Sequence, residues 1–98
     1  FCDELISKKS TKSLKKLTKE FNVDLISIGQ EDSIGSKNKL GSLAVNSFSS
    51  PGLLIRSAKY SNSFASKKLS KLQINLEECP VSQYQLSGGS IHCITNEL

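Results

Sequence analysis

A cysteine near the end of the sequence is the residue best placed to do chemistry. Cys93 follows the glycine pair Gly88 and Gly89 in residues 87–95, SGGSIHCIT. Glycines allow another molecule to approach the backbone closely, and a thiolate with a low pKa is a strong nucleophile. By residue type, Cys93 is therefore a candidate for nucleophilic chemistry, and Gly88 and Gly89 are positions at which another molecule could approach the backbone closely. The alternative is that Cys93 is a small buried apolar residue with no chemical role.

The other cysteines do not indicate a disulfide or a metal site. Cys2, Cys79 and Cys93 make an odd number, and no two of them form a CxxC pair. The spacing of Cys79, His92 and Cys93 matches no zinc-ligand pattern, and a fourth ligand is missing. We therefore expect reduced thiols, a cytoplasmic location and no metal or other cofactor.

The single histidine is the immediate neighbour of the cysteine. We expect residues 90–95 to form a strand, in which the side chains of His92 and Cys93 would point to opposite faces. His92 is therefore not expected to act as the base for Cys93. The acidic residues that could assist, although none lies in a recognisable motif, are Asp3, Glu4, Asp24, Glu31 and Asp32.

The first part of the chain is predicted to form a helix, a strand and a loop. From Ile6 to Phe21 the apolar residues recur with helical spacing and six lysines occupy the opposite side, which predicts an amphipathic helix with a packed apolar stripe. The β-branched and apolar run at Val23–Ile28 predicts a strand. Residues 30–39 are polar and turn-forming, which is typical of a surface connection.

The second part is predicted to contain a hairpin, a helix and two strands. Two largely apolar runs, residues 43–46 and 53–56, flank Ser49-Ser50-Pro51-Gly52, and a Pro-Gly step between such runs is typical of a hairpin. The remaining predictions are a helix at Ser61–Leu72, a strand at Gln73–Glu77, an extended or irregular segment at Val81–Leu86, a turn at Gly88-Gly89 and a last strand at Ser90–Thr95.

The two predicted helices share a short sequence. KKLTK at Lys15–Lys19 recurs as KKLSK at Lys67–Lys71, and each is followed by a predicted strand. A repeat of this kind indicates units that bury their apolar faces only against neighbours. We divide the chain into a partial unit at residues 1–39 and a C-terminal unit at 40–98. The alternative is a chance similarity between two lysine-rich helices.

The cysteine segment also resembles a known family. Gly88-Gly89-x-x-x-Cys93 is similar to the C-terminal signature of the guanidino-group-modifying enzymes, the superfamily of arginine and agmatine deiminases, dimethylarginine hydrolases and amidinotransferases. The sequence around Cys93, IHCIT, is most similar to agmatine deiminases. Residues 81–84, VSQY, resemble the family's Val-Ser-Glu-Phe, with Gln83 where a glutamate is common. The later elements look like the last third of a dimethylarginine hydrolase.

This resemblance implies a fold and a reaction. The fold would be α/β, as part of a five-bladed α/β propeller (pentein) built from ββαβ units. Cys93 would attack the central carbon of a small guanidinium substrate (arginine, agmatine or methylarginine), and water would hydrolyse the covalent intermediate to a ureido product. The family's histidine and guanidinium-binding acids come from earlier units. We therefore expect a hydrolase acting on amidine C–N bonds that needs the remainder of its propeller, or another chain, and is inactive as this segment alone.

The distribution of charge indicates which other kinds of partner the chain could bind. The formal net charge is +4, yet residues 73–98 carry three glutamates and no lysine or arginine. The lysine face of the first helix could bind RNA, an anionic membrane or an acidic partner, or could simply be solvated. Arg56 is the only arginine and no aromatic residues alternate with the lysines, which disfavours nucleic acid. No apolar run is long enough to span a membrane.

A second resemblance gives the alternative function. Residues 41–46, GSLAVN, with Gly52 after them, look similar to the Gly-x-x-x-x-Asn hairpins of ribosome anti-association factors. This implies a non-catalytic binding module of the same propeller architecture, associated with the ribosome or RNA.

Overall fold

The computed structural model describes residues 1–61 and 63–96. Asn62, Glu97 and Leu98 lie outside the described residues. The helix predicted at Ser61–Leu72 and the unit predicted at residues 40–98 therefore each include residues outside the described part of the chain.

Helix α1 (Lys8–Glu20) confirms the first predicted helix. It begins after Ser7, whose Oγ accepts a hydrogen bond from the Ser10 backbone N–H at 3.1 Å and so satisfies one of the free donors of the first turn. It ends where Asn22 adopts a φ of 53°, in the left-handed region that asparagine tolerates. These local signals explain why the helix is slightly shorter than predicted.

The face on which α1 packs differs from the prediction. Thr11, Leu14 and Thr18 are half-buried, whereas Leu17 and Phe21 are 50% and 71% exposed. The Thr11 hydroxyl donates to the Ser7 carbonyl and the Thr18 hydroxyl to the Leu14 carbonyl, so the polar groups of both half-buried threonines are satisfied by the local backbone. The predicted apolar stripe is therefore only partly used for packing.

The predicted strand at Val23–Ile28 is wrong, because this segment joins no strand ladder. Its backbone is tied to the start of the chain instead. The Phe1 ammonium donates to the Ile26 carbonyl at 3.0 Å, and the Ile28 N–H donates to the Phe1 carbonyl at 2.8 Å. Without a neighbouring strand, β propensity alone does not produce a sheet.

The polar connection at residues 30–39 is more ordered than predicted. It contains a 3₁₀ turn at Gln30–Asp32 and most of a small antiparallel pair, β1 (Gly35–Ser36) and β2 (Lys39–Leu40). The carboxylate of Asp32 is buried and accepts hydrogen bonds from the backbone and hydroxyl of Ser61. The segment therefore joins the first part of the chain to the second.

The main sheet has the order β3–β4–β5, from strands at Phe48–Ser50, Leu53–Arg56 and Asn75–Glu78. The hairpin is confirmed, but its first strand is residues 48–50 rather than 43–46. The reason is that Pro51 and Gly52 alone close the turn, which pairs Ser50 with Leu53 and leaves no room for a longer loop. Gly52 has a φ of 76°, which glycine adopts readily.

Helix α2 (Ser63–Lys71) crosses from β4 to β5, which pair in parallel. Residues 48–78 thus have the order ββαβ. The core beneath this unit is small and consists of Ile28, Ala44, Tyr60, Ala65 and Leu69, with Ile26, Leu54, Ile74 and Leu76 packed against it. The segment Val23–Ile28, directly after α1, forms no strand, so the passage from α2 to β5 has no counterpart there.

The C-terminal region is helical where a strand was predicted. Helix α3 (Ser82–Leu86) replaces the irregular segment predicted at Val81–Leu86, and α4 (Ile91–Ile94) replaces the strand predicted at Ser90–Thr95. No neighbouring strand pairs with this segment among the described residues. Its β-branched residues therefore lack the ladder that would favour an extended conformation.

These elements confirm the coarse prediction of a mixed α/β fold. Among residues 1–61 and 63–96, neither of the two sheets closes on itself. Over the same residues, every helix is too short or too polar to cross a bilayer.

Candidate functional site

Helix α4 places the Cys93 thiol at the surface. The helix is held to the body by Ile91, which is 3% exposed, while Cys93 is exposed. The chain enters α4 through Gly88, which has a φ of 87°. A residue with a Cβ atom would be strained at this φ, so the glycine permits the sharp reversal from α3 into α4.

The second glycine lies against the cysteine side chain. A Cβ atom added at Gly89 would be 3.4 Å from the Cβ atom of Cys93 and 3.9 Å from its Sγ. The absence of a side chain at Gly89 therefore leaves one side of the thiol open. The structure thus brings the three predicted site residues, Gly88, Gly89 and Cys93, together on one turn.

Asn46 contacts Cys93 from the other half of the chain. Its Nδ2 donates to the Cys93 Sγ at 2.8 Å, and its Oδ1 accepts from the Cys93 backbone N–H at 3.2 Å. The backbone N–H can only donate, so it requires Oδ1 on its side and leaves Nδ2 facing the sulfur. The orientation of the amide is therefore determined, and the sulfur receives a donor.

These contacts change the ionisation of the thiol. The hydrogen bond from Asn46 lowers the pKa of Cys93 below its ordinary value, and a hydrogen bond from the Ser90 backbone lowers it further, against a small opposing effect of desolvation. Both donors stabilise the anionic sulfur more than the neutral thiol. Cys93 is thus an exposed thiol biased towards the thiolate, the reactive form.

Ser90 is the fully buried residue at which the chain enters helix α4. It is 0% exposed, and its Oγ is one of two buried side-chain polar atoms without a hydrogen-bond partner among the described residues. The other is Nε of Arg56. Because Ser90 precedes α4 directly, its burial holds the start of the helix in place.

His92 does not pair with Cys93, but the geometric reason differs from the prediction. The two residues lie on a helix, where neighbouring side chains are about 100° apart rather than on opposite faces. The imidazole of His92 is exposed, and within the described chain no hydrogen bond joins it to the sulfur. The contact between His92 and the site is its backbone N–H, which lies 3.5 Å from the Asn46 carbonyl.

The remaining candidate residues lie elsewhere or have other partners. Asp32 is bonded to Ser61, and Asp3 accepts a hydrogen bond from the Ser27 hydroxyl at 2.7 Å, which lowers the pKa of Asp3. Cys2 is buried and Cys79 is exposed, and both are free thiols like Cys93. Across the described residues, no cluster of histidine, cysteine and acidic side chains could hold a metal ion.

Asn46 is the site residue that the sequence did not reveal as a partner of Cys93. Its segment stood out as one arm of the predicted hairpin and as the Gly-x-x-x-x-Asn pattern at residues 41–46, neither of which points to Cys93. Nothing in the local sequence places Asn46 beside a residue 47 positions later, because only the tertiary fold brings them together.

Comparisons of the chain with models of known protein families, with curated proteins and with solved structures gave no match.

Proposed function

We propose that the chain is the C-terminal part of a guanidino-modifying hydrolase with Cys93 as its nucleophile. The observation that carries this proposal is the exposed Cys93 sulfur, which accepts a hydrogen bond from Asn46 and has a lowered pKa. Activation of the thiolate is what nucleophilic catalysis by cysteine requires. Gly88 and Gly89 fit a role beside the substrate, because a side chain at Gly89 would narrow the approach to the sulfur.

The reaction would proceed through a covalent intermediate. The thiolate Sγ forms a bond to the central guanidinium carbon, and the C–N bond to the leaving amine breaks as that nitrogen gains a proton. Water then adds to the same carbon and loses both of its protons, one of which balances the proton gained by the leaving amine, and the C–S bond breaks as the C=O bond forms. The Cys93 thiolate is regenerated and a ureido product leaves, so the net change is the hydrolysis of one C–N bond with no cofactor.

The architecture is consistent with this proposal. Residues 48–78 have the order ββαβ, which is the unit of the propeller that the family resemblance implies. We infer that the general acid and the guanidinium-binding carboxylates come from the remainder of the propeller or from another chain. The substrate would be arginine, agmatine or methylarginine, whose shared guanidinium is the group that Cys93 attacks.

The test measures the alkylation of Cys93 in the native protein, purified together with any chain that accompanies it. Two probes of the same size are compared. Chloroacetamidine carries the amidinium charge of the substrate, whereas chloroacetamide is neutral. We expect Cys93 to react at least about tenfold faster with the cationic probe, because attraction of opposite charges raises the local probe concentration. Agmatine, arginine or methylarginine should slow this labelling, which is followed by peptide mass spectrometry.

Cys79 is the internal control for this experiment, because it is also exposed and free. Equal preference for the cationic probe at Cys93 and Cys79 would contradict the proposal. The Cys93→Ala variant should lose the fast phase and retain labelling at Cys79. Separately, the isolated chain should yield no ureido product, and measurable product would show that it needs no other part.

The non-catalytic binding module is the second candidate. One observation favours it: nine of the twelve lysines of the sequence lie on α1 and α2. Binding of RNA that weakens steeply with salt, together with no preference of Cys93 for the cationic probe, would support this candidate over the enzyme.

A further inference from the structure

The turn that carries Asn46 is anchored more firmly than an ordinary surface loop. Leu43 has a φ of 51°, a conformation that costs a branched, non-glycine residue of order 1 kcal/mol or more. The next residue, Ala44, is buried in the core, and its N–H donates to the Asp32 carbonyl at 2.8 Å. Such strain persists only where the surrounding structure holds it, so the position of this turn is set by the core.

Hydrogen bonds within the turn then orient Asn46. Its N–H donates to the Leu43 carbonyl at 2.8 Å, and the Ser47 hydroxyl donates to the Ala44 carbonyl at 2.7 Å. The Asn46 side chain extends from this turn to Cys93, where both of its polar atoms are used. The amide thus links a fixed point of the core to the surface helix α4.

We propose that Asn46 is a positioning residue that holds the Cys93 sulfur in one orientation through the two hydrogen bonds of its amide. This inference rests on the proposed function for its purpose, but its physical content concerns the thiol alone. A donor fixed at 2.8 Å from the sulfur stabilises the anion, and the second hydrogen bond prevents the amide from turning its oxygen to the sulfur. Asn46 acts through Cys93 and has no proton to exchange with a substrate.

Few other ionisable groups lie on the elements around Cys93. His92 is on the same helix, and Tyr84 is on α3. The carbonyl of Tyr84 accepts a hydrogen bond from the Gly89 N–H at 3.3 Å. The turn at residues 43–47 carries no ionisable side chain. Hydrogen bonds from Asn46 and Ser90, and not a neighbouring charge, lower the pKa of Cys93. A change at Asn46 should therefore be visible in the titration of the thiol.

The test measures the rate of alkylation of Cys93 by neutral iodoacetamide as a function of pH in the full 98-residue chain. Only the thiolate reacts, so the midpoint of the profile reports the pKa of the thiol. Asn46→Asp replaces the donor with a carboxylate oxygen of the same shape. We expect the midpoint to move to higher pH and the rate at neutral pH to fall about tenfold or more, with the high-pH plateau largely kept.

Two controls make the result specific. Asn38→Asp makes the same chemical change at an exposed turn between β1 and β2 and should leave the profile unchanged. Cys79, labelled in the same samples, should be alkylated at the same rate in every variant, because it lies outside the site. An unchanged midpoint in a folded Asn46→Asp variant would overturn the inference, because loss of a donor that stabilises the thiolate must raise the pKa of the thiol.

A second measurement covers the case in which Asn46→Asp does not fold. The ultraviolet absorbance of the thiolate is titrated in the unmodified chain, and the signal of the Cys93→Ala variant is subtracted. A Cys93 midpoint below that of an ordinary thiol supports the inference, and an ordinary or raised midpoint overturns it. Both readouts use no guanidinium compound, so they separate failure of this inference from failure of the proposed hydrolase.

Discussion

At the scale of single residues, the two glycines before Cys93 have different physical roles. Gly88 adopts a φ of 87° and has open space around the position of a Cβ atom, whereas Gly89 has no such φ and lies against Cys93. A side chain at Gly88 would therefore strain the backbone, while one at Gly89 would lie in van der Waals contact with the Cys93 side chain and cover part of the approach to its sulfur. Gly88 is thus needed for the backbone conformation, and Gly89 for access to the Cys93 sulfur.

This difference can be tested with two alanine variants. Gly88→Ala should lower the free energy of unfolding by about 1 kcal/mol, because the added methyl group disfavours the left-handed conformation. Gly89→Ala should cost less stability but slow the alkylation of Cys93 by bulky reagents. Chemical denaturation and labelling kinetics measure the two effects. The assignment of roles would be reversed if Gly89→Ala were the more destabilising variant and left labelling unchanged.

At the scale of elements, α1 is an amphipathic helix that has no fully buried residue. Its lysines are exposed as predicted, but Leu17 and Phe21 are largely exposed as well. By contrast, α2 buries Ala65 and Leu69 in the core. Sequence periodicity identifies both helices, yet only α2 uses its apolar residues to stabilise the sheet.

Substitutions in the two helices should therefore differ in cost. Leu17→Ala in α1 should change the free energy of unfolding by no more than about 0.5 kcal/mol, because an exposed side chain loses little contact. Leu69→Ala in α2 should cost about 2–4 kcal/mol, since it leaves a cavity in the core. Thermal or chemical denaturation gives both values. A loss at Leu17 as large as that at Leu69 would show that α1 packs through its apolar stripe after all.

At the scale of the whole molecule, a small core supports a chain with much exposed apolar surface. The core cluster has five buried residues, while Phe21, Phe64 and Leu86 are among the large apolar side chains that remain exposed. Burial of apolar area is the main favourable term in folding, and small domains bury the least. The free energy of unfolding of the molecule should therefore be small.

We expect the free energy of unfolding of the isolated chain to be about 5 kcal/mol or less, at the lower end for single domains. Urea denaturation followed by circular dichroism measures it. A chain that remained folded in concentrated guanidinium chloride would contradict this prediction, because it would show that the exposed apolar side chains do not limit the stability. Added partner chains should raise the denaturation midpoint if they cover these groups.

The sequence by itself determined the elements that depend on local signals. The amphipathic spacing of α1 and α2, the Pro51-Gly52 turn and the reversal at Gly88 are all encoded by neighbouring residues, and so they were predictable. The prominence of Cys93 also came from its local motif. These features need no knowledge of distant contacts, because helix periodicity and turn geometry act over a few residues.

The tertiary structure alone decided the rest. Val23–Ile28 and Ser90–Thr95 have the composition of strands, but a strand requires a paired neighbour, and no described strand pairs with either segment. The same applies to the site, because only the tertiary fold brings Asn46 to Cys93, which lies 47 positions later in the sequence. Strand pairing and long-range hydrogen bonds depend on which segments meet in space, and that is not a property of local sequence.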